Sequence, residues 1–476
     1  MCCLLVACPM LMARPASAYD ILRAEQGISA TAAGTMVRDI NGCPAGPPGR
    51  PLQLFEAVER ALCSNPKTRE AWADVKARAA AVGVARAAYL PTVSANWQGV
   101  RENSVVDIEN HPSLGSAYTA TVHSEGVSLN WVLFDFGNRA AARRSANDLL
   151  EAARATQDAT LQEVFASTAK DYYAAQAATG ALEAAQDVER MTRTSMIVAQ
   201  ARVDHGIAPI SDALQAQIQH EQAIMNLTRA QGDVQQALGA VASDMDMAPD
   251  VPLEVPAVTE GSTPSAKTFG ETIEQLIEAV RTTHPSVRAA QAEYDAALEK
   301  ITQTRAQGLP SVSLVAKYSR DNQPESLGLG LPTYPATGHE SYIGVQLSIP
   351  LFEGFGRHYQ INQARAEAER QQDVLDDTRR QVALDVWNSY HALTTATRNV
   401  TNSARLLSIS QRAFEAAQQR YVHGVCDVLE LMNTQAALAN AKQRRVQALA
   451  DWDNARVDLA SKLGRLDVTD LQQNGN

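Results

Sequence analysis

The chain has 476 residues, a length that several globular domains could fill. Aromatic residues make up only 5% of it, whereas alanine and glutamine are abundant, which favours long helices packed through small side chains. The formal net charge of -11, with no basic patch to offset it, excludes nucleic acid as a partner, because the phosphates would be repelled.

The N-terminus predicts an export signal over residues 1–18. Residues 2–12 are apolar, and Ala-Ser-Ala at 16–18 supplies the small residues of a signal-peptidase site. The usual basic segment is missing, which leaves open a start codon upstream of Met1. Cleavage and acylation at Cys8, as in bacterial lipoproteins, is the alternative. No later run of 18 apolar residues predicts a transmembrane helix, so a membrane span must be a β-barrel.

Three cysteines follow the signal. Cys43 and Cys63 flank a segment rich in proline and glycine, and a disulfide between them would contribute roughly 3 kcal/mol in an oxidising compartment. The alternative is that Cys63 is only a small buried residue on a helix. Cys426 has no metal-ligand spacing around it, which predicts a free thiol in a turn and no metal site.

A unit of roughly 220 residues occurs twice, which predicts an internal duplication. Asn65-Pro66 recurs as His284-Pro285, and the His-Gly pair at 205–206 recurs at 423–424. The predicted divisions after the signal are a first repeat over 19–248, a Pro-rich linker over 249–269, a second repeat over 270–463 and a polar tail over 464–476.

Each repeat is predicted to contain one helix, a strand hairpin and two long helices. Residues 139–205 contain no proline and are rich in Ala, Gln, Arg and Glu, which predicts one helix of about 100 Å. In the second repeat, residues spaced alternately by four and three predict a coiled coil. The apolar members of this series are Val386, Tyr390, Leu393, Val400, Ala404, Leu407, Phe414 and Tyr421.

The hairpins are predicted at about 92–133 and 311–351, where apolar and polar residues alternate. Apolar residues facing outward and small polar residues facing inward are typical of transmembrane barrel strands. Soluble hairpins with one buried face are the alternative. Because four strands cannot close a barrel, a membrane-spanning form requires several copies of the chain.

Leu133-Phe134-Asp135 and the segment 350–354 lead from a strand into a helix at equivalent points. With the segments 202–206 and 421–424, they make the chain resemble the TolC family of outer-membrane efflux and secretion channels over about 52–463. The resemblance implies a homotrimer in a Gram-negative bacterium. A twelve-stranded β-barrel would cross the outer-membrane lipid, and a long α-helical coiled-coil barrel would continue across the periplasm as a tunnel.

The segment 62–66 is most similar to the family branch that serves type I protein secretion. The resemblance then implies an inner-membrane ABC transporter, a periplasmic adaptor (membrane fusion) protein and a secreted protein cargo such as a cyclolysin-like or haemolysin-like RTX toxin. The alternatives are a drug or metal efflux channel of the same fold and a periplasmic structural coiled-coil protein.

The two helix turns are the predicted functional site. Gly206 and Gly424 supply the left-handed conformation that ends a helix. By resemblance, the turns form the periplasmic tip, where the tunnel is constricted. There Tyr421 would donate a hydrogen bond to Asp212, and Glu430 would face the pore.

Two departures from the family pattern bear on this tip. Cys426 stands where a basic residue is usual, and Asn433 stands where some members carry a second acid. These departures put a salt-bridge latch and a double acidic ring in doubt. An alternative role for Asp427 and Glu430 is a capping box at the start of the last helix.

No catalytic motif was found. The sequence lacks G-x-x-x-x-G-K-[ST], H-E-x-x-H, C-x-x-C and G-x-S-x-G. We therefore predict a protein that is not an enzyme, that binds no cofactor and that takes its transport energy from its partners.

Overall fold

The computed structural model describes residues 20–34, 36, 43, 46, 48, 50–257, 272–323 and 336–466. The predicted signal peptide, most of the predicted linker and the tail after 466 lie outside the described residues. Within the described residues, one compact unit contains 20–28, 76–150 and 293–371, and the second contains 29–75, 151–292 and 372–466.

The long elements follow one another in the same order in both halves of the chain. They are α1 Leu54–Ser64, α2 Pro66–Ala87, β1 Thr92–Val106, β2 Ser116–Phe134, α3 Asn138–Asp204, α4 Ile210–Asp244, α5 Ile273–Thr283, α6 Pro285–Ala306, β3 Ser311–Asp321, β4 Gly338–Ser348, α7 Gly356–Val422 and α8 Val428–Lys462. The described chain is thus mostly helical. None of the helices described here is both long and apolar enough to span a membrane.

Two helices, rather than the predicted one, precede each hairpin. The break falls at Asn65 before Pro66 and at His284 before Pro285, and both preceding residues are extended, with ψ of 133° and 135°. Proline has no N–H to donate to the preceding turn, and its ring disfavours helical geometry in the residue before it. The repeated X-Pro pair therefore ends one helix and begins the next.

The first unit contains an antiparallel sheet in the order β1-β2-β3-β4, with the strands where the alternating pattern predicted them. Leu129 lies opposite Val93 on one side and Ala316 on the other, and Ala316 lies opposite Ile343. The predicted apolar positions therefore share one face across all four strands. This face is exposed, since Ile343 and Val345 are 75% and 67% accessible.

At each connection between a hairpin and the long helix after it, an arginine forms hydrogen bonds that hold the two together. Arg139 Nε donates to Asp135 Oδ2 at 2.8 Å, and Arg139 Nη1 donates to the carbonyl of Val132 at 2.6 Å. Arg357 pairs in the same way with Glu353, at 2.9 Å. This acid and arginine, four residues apart, explain why the same short motif occurs in both halves of the sequence.

The second unit is built on the long helices. Leu161 and Phe165 of α3 pack against Val58 and Leu62 of α1. Cys63 is in the same cluster and forms a disulfide with Cys43, with the sulfur atoms 2.06 Å apart. Cys63 is therefore buried and also bridged, rather than only a small buried residue.

Some of the buried residues of α7 lie one position before the residues that the coiled-coil spacing predicted to be buried. Val386, Val400, Phe414 and Tyr421 are buried as predicted, but Ala404 is exposed. The other buried residues between 386 and 421 are Ser389, Ala396, Ser403, Ser410 and Ala417. Ser389 and Ser403 thus lie one residue before the predicted Tyr390 and Ala404. The spacing is still that of a coiled coil, with small residues filling alternate positions.

Candidate functional site: the two helix turns

Two short turns join α3 to α4 and α7 to α8. Gly206 and Gly424 have φ of +70° and +73°, the left-handed conformation that glycine adopts without strain. Beyond each glycine, a backbone N–H reaches back to the helix, from Ile207 to Arg202 at 2.8 Å and from Val425 to Arg420 at 2.9 Å. These bonds satisfy carbonyls that the end of a helix leaves free.

Arg202 connects the two turns. Its Nη1 donates to the backbone carbonyl of Tyr421 at 2.7 Å, and its guanidinium carbon lies 4.7 Å from the centre of the Tyr421 ring. A charged hydrogen bond and a cation–π contact therefore join the end of α3 to the end of α7. The contact belongs to a buried cluster that includes Ala199, Phe414 and Leu431.

The predicted hydrogen bond between Tyr421 and Asp212 is absent within the chain. The Tyr421 hydroxyl is buried and has no hydrogen-bond partner among the described residues. Burial raises the pKa of this hydroxyl above its ordinary value, Arg202 opposes the rise and Asp212 reinforces it. Asp212 instead lies in the first turn of α4, where the helix dipole favours a carboxylate and Ser211 Oγ approaches it at 3.4 Å.

Asp427 and Glu430 have different roles at the start of α8. Asp427 caps the helix, because its carboxylate accepts the backbone N–H of Glu430 at 2.8 Å. The Glu430 side chain pairs with Arg420 at 2.5 Å rather than completing a capping box. The predicted acid at the tip is therefore neutralised by an arginine of the preceding helix.

Asn433 and Cys426 complete the set of predicted tip residues. Asn433 is exposed on the next turn of α8. Cys426 is a free thiol whose sulfur lies 3.1 Å from the Asp427 carbonyl. Burial, with Glu430 acting in the same direction, raises the pKa of this thiol above its ordinary value. The thiol form is thus favoured at neutral pH.

Sequence reasoning missed the two arginines on which these contacts depend. Arg202 and Arg420 each stand four residues before a turn glycine, so the signal was present in the repeated motif. The arginine at this position contacts Tyr421 in one turn and Glu430 in the other.

Both turns also expose large apolar side chains. Ile207 and Ile210 are 66% and 69% accessible, and Val422 and Val425 are 62% and 68% accessible. Their position at helix ends, away from the buried cluster, leaves an apolar surface beside the charged contacts.

Two stretches of the chain, residues 57–243 and 276–465, match a single family, described as outer membrane efflux protein. The chain belongs to the outer membrane efflux protein family. The matched stretches cover both halves of the chain and include both turns. This is a family of outer-membrane channels, and the exposed apolar face of the sheet agrees with that setting.

Individual members of the efflux-protein family are similar over most of their length. Protein CyaE of Bordetella pertussis is 32% identical over 417 residues, which are 87% of this chain and 84% of CyaE. The alkaline protease secretion protein AprF of Pseudomonas aeruginosa is 23% identical over 437 residues, 88% of this chain and 86% of AprF. The crystal structure of the outer membrane protein VceC from Vibrio cholerae has a similar fold, with a TM-score of 0.73 and 18% identity over 87% of this chain and 96% of VceC.

Proposed function

We propose that this chain is the outer-membrane channel of a type I secretion system, and that it exports a protein toxin or enzyme out of a Gram-negative bacterium. The observation that carries the proposal is its similarity over 88% of its length to AprF, a protein named for the secretion of a protease. The similarity to CyaE, 32% identity over 87% of this chain, extends well beyond the two turns.

The sheet supports assembly as a homotrimer. It has an exposed apolar face, and β1 and β4 each have one edge without a partner strand in the described chain. An open edge within a bilayer leaves backbone groups without hydrogen bonds, and membrane barrels need about eight strands or more. Three chains of four strands give a closed barrel of twelve strands, which satisfies every edge.

The long helices support a tunnel through the periplasm. Helices α3 and α7 both have 67 residues, and α4 and α8 both have 35. Such equal lengths favour duplication of one ancestral unit, and the four-and-three spacing of buried residues on α7 suits lateral helix packing. Three copies of this pseudo-symmetric arrangement provide twelve helical segments around a periplasmic duct.

The turns support contact with the remaining machinery. Ile207, Ile210, Val422 and Val425 are exposed at helix ends, which suits docking of a periplasmic adaptor protein and, through it, an inner-membrane ABC transporter. Energy for export would come from the transporter. In the trimer, Arg202, Asp212, Tyr421, Glu430 and Asn433 would surround the entrance to the duct.

Deletion of the gene tests the proposal. We expect one or a few large proteins to disappear from the culture medium and to return when the wild-type gene is supplied on a plasmid. Minimum inhibitory concentrations of dyes, detergents and metal salts, measured in the same strains, serve as the control for an efflux role. An unchanged secretome together with increased sensitivity would reject secretion and support efflux.

A further inference from the structure

A cluster of polar side chains is buried between α3 and α4. Its members are Glu189 and Thr192 of α3 and His220 of α4, which are only 7%, 5% and 7% accessible. Burial removes the hydration of such groups, so they require partners inside the protein. The contacts among the three side chains therefore decide how the cluster affects this helix pair.

The second half of the chain has leucines at the equivalent positions. When the two halves are aligned on their turn glycines, Glu189 corresponds to Leu407 and His220 to Leu438. Leu438 is 1% accessible, and Leu407 packs against the apolar cluster to which Leu438 belongs. A helix pair of this kind can thus be packed without ionisable groups, and the first half has two of them instead.

The hydrogen bonds of Thr192 determine which nitrogen of His220 carries a hydrogen. The Thr192 hydroxyl donates to the backbone carbonyl of Glu189 at 2.9 Å. Because a hydroxyl has a single hydrogen, its oxygen is left as the acceptor for His220 Nδ1, which lies 3.3 Å away. His220 Nδ1 is therefore the donor, and in a neutral imidazole Nε2 would be left as an acceptor.

This second ring nitrogen faces a carboxylate. His220 Nε2 lies 3.9 Å from Glu189 Oε1, and the two side chains are only 9% and 10% accessible. Glu189 Oε1 is buried and accepts no hydrogen bond from the described part of the chain. Two acceptors that face each other repel, whereas a proton on Nε2 converts the same approach into an ion pair. The geometry thus favours the imidazolium form of His220.

The other charges around this pair come from α3 and α8. Arg193 Nη2, on α3, forms an ion pair with Glu189 Oε1 at 2.7 Å, which keeps the carboxylate ionised but opposes a second positive charge on His220. The Arg193 side chain is 60% accessible, so water and salt screen this opposition. Lys442 of α8 pairs with Asp187, two residues before Glu189, at 2.7 Å. Among the residues that the structure describes, no ion pair or hydrogen bond from α7 or α8 reaches Glu189 or His220.

We propose that His220 and Glu189 form a pH-dependent ion pair that attaches α4 to α3 when His220 is protonated. With the proton, Nδ1 donates to Thr192 and Nε2 is directed toward Glu189. Without it, a buried carboxylate faces a lone pair, and the attachment weakens. Because the folded pair favours the protonated histidine, the stabilisation is present at low pH and is lost as the pH rises through roughly 5–8, where histidine titrates. Helices α3 and α4 therefore tighten in acid, whereas the leucine-packed α7 and α8 do not respond.

Hydrogen–deuterium exchange of the full-length protein in mild detergent tests this ion pair. Exchange is measured by mass spectrometry at about pH 5.5 and about pH 7.5 and corrected for its intrinsic pH dependence. Peptides that contain Glu189 or His220 should exchange roughly threefold to tenfold more slowly at the lower pH. Peptides that contain Leu407 or Leu438, in the same samples, are the internal control and should show no such difference.

Three variants assign the effect to the two residues. Glu189→Leu combined with His220→Leu gives the first half the residues of the second, so it should fold and lose the pH-dependent protection. Glu189→Gln retains the shape of the side chain without its charge and should lose it too. His205→Gln is the matched control, because His205 is exposed just after α3, and it should behave like the wild type.

Equal pH dependence of the α3–α4 and α7–α8 peptides in the wild type would overturn the proposal, and this comparison needs no variant to fold. Protection that still depends on pH in Glu189→Gln or in the double leucine variant would overturn it as well, because another group would then be responsible. Thermal unfolding at both pH values provides a second measurement. The difference in Tm between the lower and the higher pH should be smaller in these two variants than in the wild type.

Discussion

Replacing Arg202 by methionine tests whether the contact between α3 and α7 holds the turns in place. Both contacts of this guanidinium, the 2.7 Å hydrogen bond and the cation–π contact, are made to Tyr421. Methionine retains an unbranched apolar side chain but has neither charge nor donor. Arg420→Met is the matched control, because Arg420 stands at the same distance from its own turn glycine.

The structure predicts different magnitudes for the two substitutions. A hydrogen bond from a charged group contributes about 1.5–3 kcal/mol, and a partly exposed cation–π contact about 0.5–1 kcal/mol. Arg202→Met should therefore cost roughly 2–4 kcal/mol per chain. The Arg420–Glu430 pair is solvent-exposed, with side chains 52% and 41% accessible. Pairs of this kind contribute about 0–1 kcal/mol.

Single-channel conductance in planar bilayers reports on the consequence. If the turns close the entrance to the duct, loss of the Arg202 contact should shift the population toward wider states and raise the mean conductance. Arg420→Met should differ little from the wild type. Tm values for the two variants should follow the same order.

Equal conductance for Arg202→Met and the wild type, with a lowered Tm, would show that this contact stabilises the fold without controlling the entrance. A larger effect of Arg420→Met than of Arg202→Met would contradict the energetic reasoning itself. It would mean that the exposed ion pair, rather than the partly buried cation–π contact, holds the closed state.

Glu430→Gln should reduce cation preference, because it leaves Arg420 unpaired near the entrance, and an unchanged reversal potential in a salt gradient would contradict this. Val345→Arg should lower the yield of trimer in the outer membrane, because a lipid-facing arginine costs about 2–4 kcal/mol, whereas Gln346→Arg on the opposite face is the control. Burial raises the pKa of Asp453 to about 6, so its contribution to stability is greatest when it is protonated and falls as the pH rises from about 4 to 6. Asp453→Asn should therefore raise Tm above pH 6 by removing a penalty of roughly 3 kcal/mol, and an equal rise at pH 4 would point to another cause.

The strands could be predicted because their signal is local. Successive side chains of a strand point to opposite faces, so Val93, Ala95 and Trp97 define a face before any partner strand is known. The register then brings such faces together across the sheet. Glycine at a turn is equally local, because its positive φ depends on the backbone of one residue.

The line of buried residues along α7 could be predicted only in part. Large apolar residues such as Val400 and Phe414 identify one of its two alternating positions. The other position is filled by Ser403 and Ser410, which are buried because they are small enough for helices to approach closely. Hydrophobicity alone does not identify these serines, so the predicted series placed the second position one residue too late.

The contact between the two turns lay beyond prediction because it joins residues far apart in sequence. Arg202 and Tyr421 are 219 positions apart, and only the packing of α3 against α7 brings them together. The sequence does place an arginine four residues before each turn glycine. It could not indicate that Arg202 would stack on an aromatic ring of the other helix pair.

The two turns differ because an equivalent position carries different residues. Tyr421 follows Arg420 in the second half, whereas Val203 follows Arg202 in the first. Of these two equivalent positions, the one in the second half therefore carries the aromatic ring, and Arg202 stacks on it. Arg420 has no ring to stack on and pairs with Glu430 instead. The Arg202 contact is thus partly buried and joins the two turns, whereas the Arg420–Glu430 pair is exposed and lies within a single turn. Removing the charge of one arginine or the other should therefore affect the two helix pairs unequally.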